Sequence, residues 1–228
     1  VLYATVIWMQ CMPMNNDELV TPTVELISGA IDSGDAARAK RLTEAMWRDF
    51  QNNKDYSINW ITSLLSFIGR RLGEDAVEDA LRDFGERYLK ERRAGYQDVE
   101  PRKRLEGLVR AMKANGATLT VEEDEEKWTV AFRCGSGGKL IDDGAYGPPR
   151  DYLTLTEPGP RTFGRDAMPA YCAHCSINNE IQAIEWTGTP VTVEFPPTVP
   201  GEPCVHHVYK GPVPEEIYRR AGHDPPGP

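Results

Sequence analysis

No stretch of this chain is apolar for long enough to cross a bilayer. The apolar opening, Val1 to Met14, is too short to do so and lacks the basic flank of a secretory signal. Met14, just before Asn-Asn-Asp-Glu, reads as an ordinary start, and Cys11 as an incidental thiol in that segment. Positive charge is also scarce. The net charge of −9 repels phosphate backbones, which disfavours non-specific nucleic-acid binding. Cysteine is too sparse and too clustered for a secreted disulfide scaffold, since there are five in 228 residues. Metal-bound thiolates in a reducing cytoplasm fit that usage better. Proline is nearly missing from the first half: only Pro13, Pro22 and Pro101 precede Pro148. Long helices are therefore permitted early and excluded late.

The first half has helical grammar. A short helix is expected over 24–31. Asp35 is placed to cap a helix carrying Leu42, Ala45, Met46 and Phe50, and Asp55 to cap another with Ile58, Ile61, Leu65, Ile68 and Leu72 on one stripe. Gly73 reads as a stop. Glu74 and Asp75 then open a helix bearing Val77, Ala80, Leu81, Phe84 and Tyr88. Pro101 starts a further helix, with Leu105, Leu108, Val109 and Met112 inside and Gly116 closing it. Each helix is amphipathic, so a small bundle is expected.

At Ala117 the hydrophobic period changes from the helical value to alternation. Leu119 and Val121, then Trp128, Val130 and Phe132, form a hairpin that delivers Cys134 to its far end. Further strands are expected over 152–156, 190–195 and 205–210, and a loose tail over 219–228. The fold class expected is α+β: a helical bundle over 16–116 packed on an antiparallel β region over 117–218, with 1–15 as an ill-defined leading segment.

Four cysteines carry the chemistry. Cys172 and Cys175 form Cys-Ala-His-Cys, Cys134 opens Cys-Gly-Ser-Gly-Gly, and Cys204 begins Cys-Val-His-His. Two thiols on one tight turn, joined by one from each of two distant segments, suit a tetrahedral Zn2+. The glycines after Cys134 let the backbone bend around a sulfur. A strand alternates its faces, so Cys204 and His206 point one way and His207 the other. Several sites remain open: a closed set of Cys134, Cys172, Cys175 and Cys204; three cysteines with His206 or His174; three ligands with an open position; or buried cysteines acting as small apolar residues. Gly135 to Lys139 lacks the spacing of a phosphate loop, and no helix is expected to follow it. Asp83-Phe84-Gly85 lies within a helix, with no other kinase element present.

The carboxylates near this cluster are Glu180, Glu185 and Glu194. They read either as a solvated face or as a general base or partner to a ligand histidine. His206 and Glu180 are the catalytic candidates, with Trp47 or Trp60 as a wall. The run Cys172-Ala-His-Cys175, Glu180, Gly188-Thr-Pro190 and Pro203-Cys204-Val-His-His-Val-Tyr209 is similar to the end of 4-vinyl-reductase-type sensor domains. It also resembles the L-2-amino-thiazoline-4-carboxylate hydrolase-like proteins. The resemblance covers about forty residues. It implies a small-molecule-binding fold with a metal, some of the sensor members holding zinc with cysteines and a glutamate. The function expected is a zinc-binding, small-molecule-binding protein. As an enzyme it would be a hydrolase or lyase acting on a small heteroatom-containing substrate. The alternative is a non-catalytic ligand sensor or scaffold with a purely structural zinc.

Overall fold

The computed structural model describes residues 15–197 and 199–227. Cys11 and the rest of the apolar opening lie outside them. The chain divides into two compact units, the first ending at Asn53 and the second beginning at Lys54. The fold is α+β, a long N-terminal helical region followed by a C-terminal antiparallel sheet. Among the described residues no helix is long and apolar enough to cross a membrane.

In the first unit, α1 (Asn16–Val20) and α2 (Thr23–Asp32) lead to the start of α3 (Ala36–Leu72). Asp35 caps α3 as its sequence position suggests, its side chain accepting from the Arg38 N–H at 2.9 Å. Arg38 in turn pairs with Glu18 at 2.9 Å.

The sequence suggested two helices where the structure has one. α3 runs unbroken for 37 residues, with no proline or turn glycine to stop it before Gly73. Asp55 is therefore an interior residue rather than a cap. Its carboxylate faces Lys54 at 3.3 Å and Lys139 at 3.8 Å. Gly73, at φ 94°, ends the helix as a residue with a β-carbon could not easily do. Thr62 and Ser66 lie buried on α3, and the Ser66 hydroxyl accepts the Leu153 N–H at 2.9 Å, tying a later loop to the helix.

α4 (Glu74–Phe84) buries Val77 and Leu81 as its stripe requires, but Phe84 and Tyr88 are exposed. The cause is local. The helix widens to π geometry over Gly85–Leu89, and Gly85 takes the inward position instead. A β-carbon there would meet Gln182 Oε1 at 2.0 Å and Asn178 Nδ2 at 2.9 Å. Through that gap Asn178 donates to the Leu81 carbonyl at 2.9 Å and Gln182 to the Arg82 carbonyl at 3.0 Å. α5 (Pro101–Ala114) starts at its proline and is capped by Glu100, which accepts from the Arg102 and Lys103 N–H groups.

The sheet has the order β1 (Leu119–Glu123), β2 (Lys127–Phe132), β6 (Cys204–Tyr209), β5 (Val193–Phe195), antiparallel throughout. Residues paired across antiparallel strands share a face. Trp128 and Val208, Val130 and His206, and Phe132 and Cys204 thus lie side by side. That face is covered by Leu105, Leu108, Val109 and Met112 of α5. Between the strands lie α6 (Gly137–Asp142), the small ladder of β3 (Thr154–Leu155) with β4 (Met168–Pro169), and a helical run from Ala170 ending in α7 (Gln182–Thr187). The run is π-helical over Cys175–Ile181. A second core joins Leu65 of α3 and Val77 and Leu81 of α4 to Leu155, Met168, Cys172, Ile177 and Ile181.

Two expectations need correction. A short helix, α6, begins within the glycine run after Cys134, at Gly137. The segment read as a loose tail begins inside α8 (Glu215–Arg220), and Ala221 is buried in the second core.

Gly85→Ala is expected to destabilise the fold by about 1–3 kcal/mol through overpacking, against the ~1 kcal/mol that alanine normally gains over glycine in a helix. Gly107→Ala is the control, because its β-carbon would meet nothing within 4 Å. Urea unfolding of both variants checks this. A stabilised Gly85→Ala would contradict the packing described.

Candidate functional site

The register of β6 decides what faces inward. Cys204, His206 and Val208 are buried while His207 is only partly so, in the alternation of a strand covered on one side. Across the ladder, His206 lies opposite Glu194 of β5. Glu194 is 1% exposed and His206 4%, so a carboxylate and an imidazole meet away from water, with Glu194 Oε1 3.6 Å from His206 Nδ1.

Burying a carboxylate is costly unless hydrogen bonds replace its water. Thr192 Oγ1 and Asn179 Nδ2 both donate to Glu194 Oε1 at 2.8 Å. Arg93 donates to Asn179 Oδ1 at 2.5 Å, which turns the amide so that its NH2 faces the carboxylate. Burial alone would raise the Glu194 carboxyl. His206, the Cys175 thiol, the Thr192 hydroxyl and His174 outweigh it and hold the group below the ordinary carboxylate range. Burial pushes the His206 imidazole down, against the opposing pull of Glu194. Three buried polar atoms of this pair have no hydrogen-bond partner: Glu194 Oε2 and both ring nitrogens of His206.

The four candidate thiols line the same cavity. Cys134, Cys172, Cys175 and Cys204 all line one cavity of about 70 Å³, together with His174 and His206. Met112 and Phe132 supply its apolar wall. Trp47 and Trp60, the expected wall, are exposed on α3. None of the four cysteines is in a disulfide. Burial raises the thiols of Cys172, Cys175 and Cys204, and the neighbouring Glu194 and other thiols add to the rise. His174 donates from Nδ1 to the Tyr171 carbonyl at 2.6 Å, which leaves Nε2 as the lone-pair nitrogen, 3.5 Å from Cys175 Sγ.

The glycines after Cys134 have a visible purpose. A β-carbon on Gly137 would come within 2.8 Å of Cys172 Sγ, and one on Gly138 within 2.8 Å of Cys134 Cβ. The loop is fixed from below by Lys54, which donates to the Asn115 and Gly135 carbonyls at 2.9 and 2.7 Å.

Among the described residues, no three His, Cys, Asp or Glu side chains stand in an arrangement that could hold a metal ion. The six thiol and imidazole groups share a cavity without converging on one point. The donor types in the lining are sulfur and nitrogen, those a soft cation takes, and neither ring nitrogen of His206 has a hydrogen-bond partner.

Glu180 is not on a solvated face. It is 1% exposed, accepts the Glu194 N–H at 2.7 Å and pairs with Arg220 at 2.5 Å. It thus stands behind Glu194, and the cavity lining does not include it. Glu185 lies elsewhere, bound to Arg82 at 3.0 Å. Glu194 is the site residue that the sequence least advertised. Its signal is a lone charge between Val193 and Phe195 in a short apolar strand. No family model, curated protein or solved structure matches the chain.

Burial pushes the Glu180 carboxyl from 4.5 up to about 7, against the pull of Arg220. The folded state then holds this proton more tightly than the unfolded state does. Stability should therefore fall as pH rises from about 4.5 to about 7, by ~3 kcal/mol from this group. Glu180→Gln should flatten that part of the stability–pH curve, as measured by urea unfolding at pH 5 and at pH 7.5. An unchanged slope would show that Glu180 does not carry it.

Proposed function

We propose that this chain is a zinc-binding protein in which the metal secures the fold of a ligand sensor or scaffold. Cys134, Cys172, Cys175 and Cys204 would hold the ion, with His206 or His174 as the nitrogen donor if one thiol is not used. The observation that carries this reading is the shared cavity: four free thiols from three distant segments line a space of about 70 Å³. That volume suits an ion, whereas organic ligands need roughly 300 Å³ or more. Zinc bound there would supply the positive charge that lets buried thiols ionise, and it would cross-link the loop after β2, the helical run and the start of β6. The resemblance of residues 172–209 to zinc-holding sensor domains supports the same reading. Unpaired thiols are what a reducing compartment such as the cytoplasm preserves.

A second reading, hydrolysis or lysis of a small substrate, is favoured by the Glu194–His206 pair. A buried carboxylate beside an imidazole that makes no hydrogen bond is a general acid–base arrangement. In that case Glu194 would orient His206, with Glu180 positioning Glu194 from behind.

Elemental analysis of protein purified without added metal should find about one zinc per chain. Cys134→Ser, Cys175→Ser and Cys204→Ser should each lose metal and melt at lower temperature. His206→Ala should reduce metal content more than His207→Ala. Metal-free protein whose thiols titrate freely in the native state would overturn the reading.

A further inference from the structure

Beyond Lys54, α3 has two apolar faces. One is buried and carries Ile58 and Leu65. The other is uncovered among the described residues: Tyr56, Trp60, Ile61, Leu64 and Phe67 are between 44% and 69% exposed. Trp60, Leu64 and Phe67 follow one another at steps of four and three, the period with which one helix packs along another. Tyr56 lies to one side of that line and Ile61 to the other. These five side chains leave roughly 600 Å² in water. That is the upper end of what a monomer exposes as one apolar patch, and most of the ~800 Å² that each partner gives to a stable interface.

We infer that this face pairs with the same face of a second copy, the two α3 helices running antiparallel. Charge selects that occupant. The chain has 35 acidic residues, yet none falls in 56–73. Two copies of net charge −9 repel wherever their carboxylates face each other, and along this stretch they can meet without that repulsion. A basic partner would find no carboxylate there to bind. The only charges are Arg70 and Arg71, at one end. A parallel pair would set Arg71 against its own copy, whereas an antiparallel pair holds the two several turns apart. With the two-fold axis at the level of residue 62, Trp60 of one copy lies level with Leu64 of the other. An anionic lipid surface would draw on a free basic flank. Here Arg70 is paired with Asp151 at 3.0 Å, and Arg71 lies over the Phe67 ring at 5.6 Å. The inference is independent of the zinc reading, because none of these residues lines the cysteine cavity.

The test uses the full chain as purified, in reducing buffer so that no disulfide links two copies. Sedimentation velocity should show twice the mass of one chain, and added salt should not dissociate it, since the contact is uncharged. Trp60→Arg should weaken the dimer about thirtyfold, the loss of one central aromatic anchor. Its far-ultraviolet helix signal should be kept, because the side chain is exposed in the single chain. Leu64→Asp should act in the same way, whereas Phe84→Arg, at an exposed aromatic of α4, should leave the dimer intact. Hydroxyl-radical footprinting of the unaltered chain reads the face without any substitution: Trp60 and Phe67 should be protected in the dimer and labelled once dilution separates the copies. A monomer at every concentration would overturn the inference. So would a dimer that both variants retain, or one that leaves Trp60 open to labelling. A monomer that floats with vesicles of phosphatidylcholine and phosphatidylserine would assign the face to lipid and equally overturn it.

Discussion

The buried meeting of Glu194 with His206 is the constraint on which the rest of this unit depends. A carboxylate removed from water costs several kcal/mol unless its environment replaces the lost solvation. Here the replacement comes from separate parts of the chain. Thr192 approaches from the same segment, Asn179 from the helical run, and His206 from the neighbouring strand. Arg93, just beyond the π-helical widening after α4, orients Asn179. Shifting β6 by one residue would put His207 opposite Glu194 and turn Cys204 out of the core. The register, the helical run and the first turns after α4 are therefore mutually dependent.

The cysteine cavity lies where two cores join. Cys172 belongs to the core built with α3 and α4, and Cys204 to the face covered by α5. Cys134 reaches the same place because glycines at 137 and 138 let the following turn lie against Cys172 Sγ and Cys134 Cβ. A proposed metal at this seam would link the two cores directly. That favours a stabilising role over a catalytic one, since the surrounding space leaves little room for a substrate.

Much of this was legible in the residues, because period and punctuation reflect strong local forces. Alternation in Trp128, Val130 and Phe132 revealed β2, Pro101 revealed the start of α5, and the spacing of Cys172 and Cys175 drew attention to the cavity. What was missed depended on tertiary contacts. Asp55 has the chemistry of a cap, but nothing around it stops a helix, so α3 continues through it. Gly85 lies within the expected helix and outside its apolar stripe. It is the close-approach position for Asn178 and Gln182, two polar residues that a hydrophobic pattern ignores. The sequence reading put Glu180 forward and passed over Glu194, because their burial depends on Arg220 and His206 from distant segments. For the same reason residues 220 and 221 read as tail, although one holds Glu180 and the other fills the core.

The most direct test of the proposed metal centre is X-ray absorption at the zinc edge on the native protein. Thiol-dominated ligation predicts a principal shell near 2.3 Å from sulfur, with at most one nitrogen near 2.0–2.1 Å. A shell made only of nitrogen and oxygen at about 2.0–2.1 Å would contradict the assignment of the four cysteines.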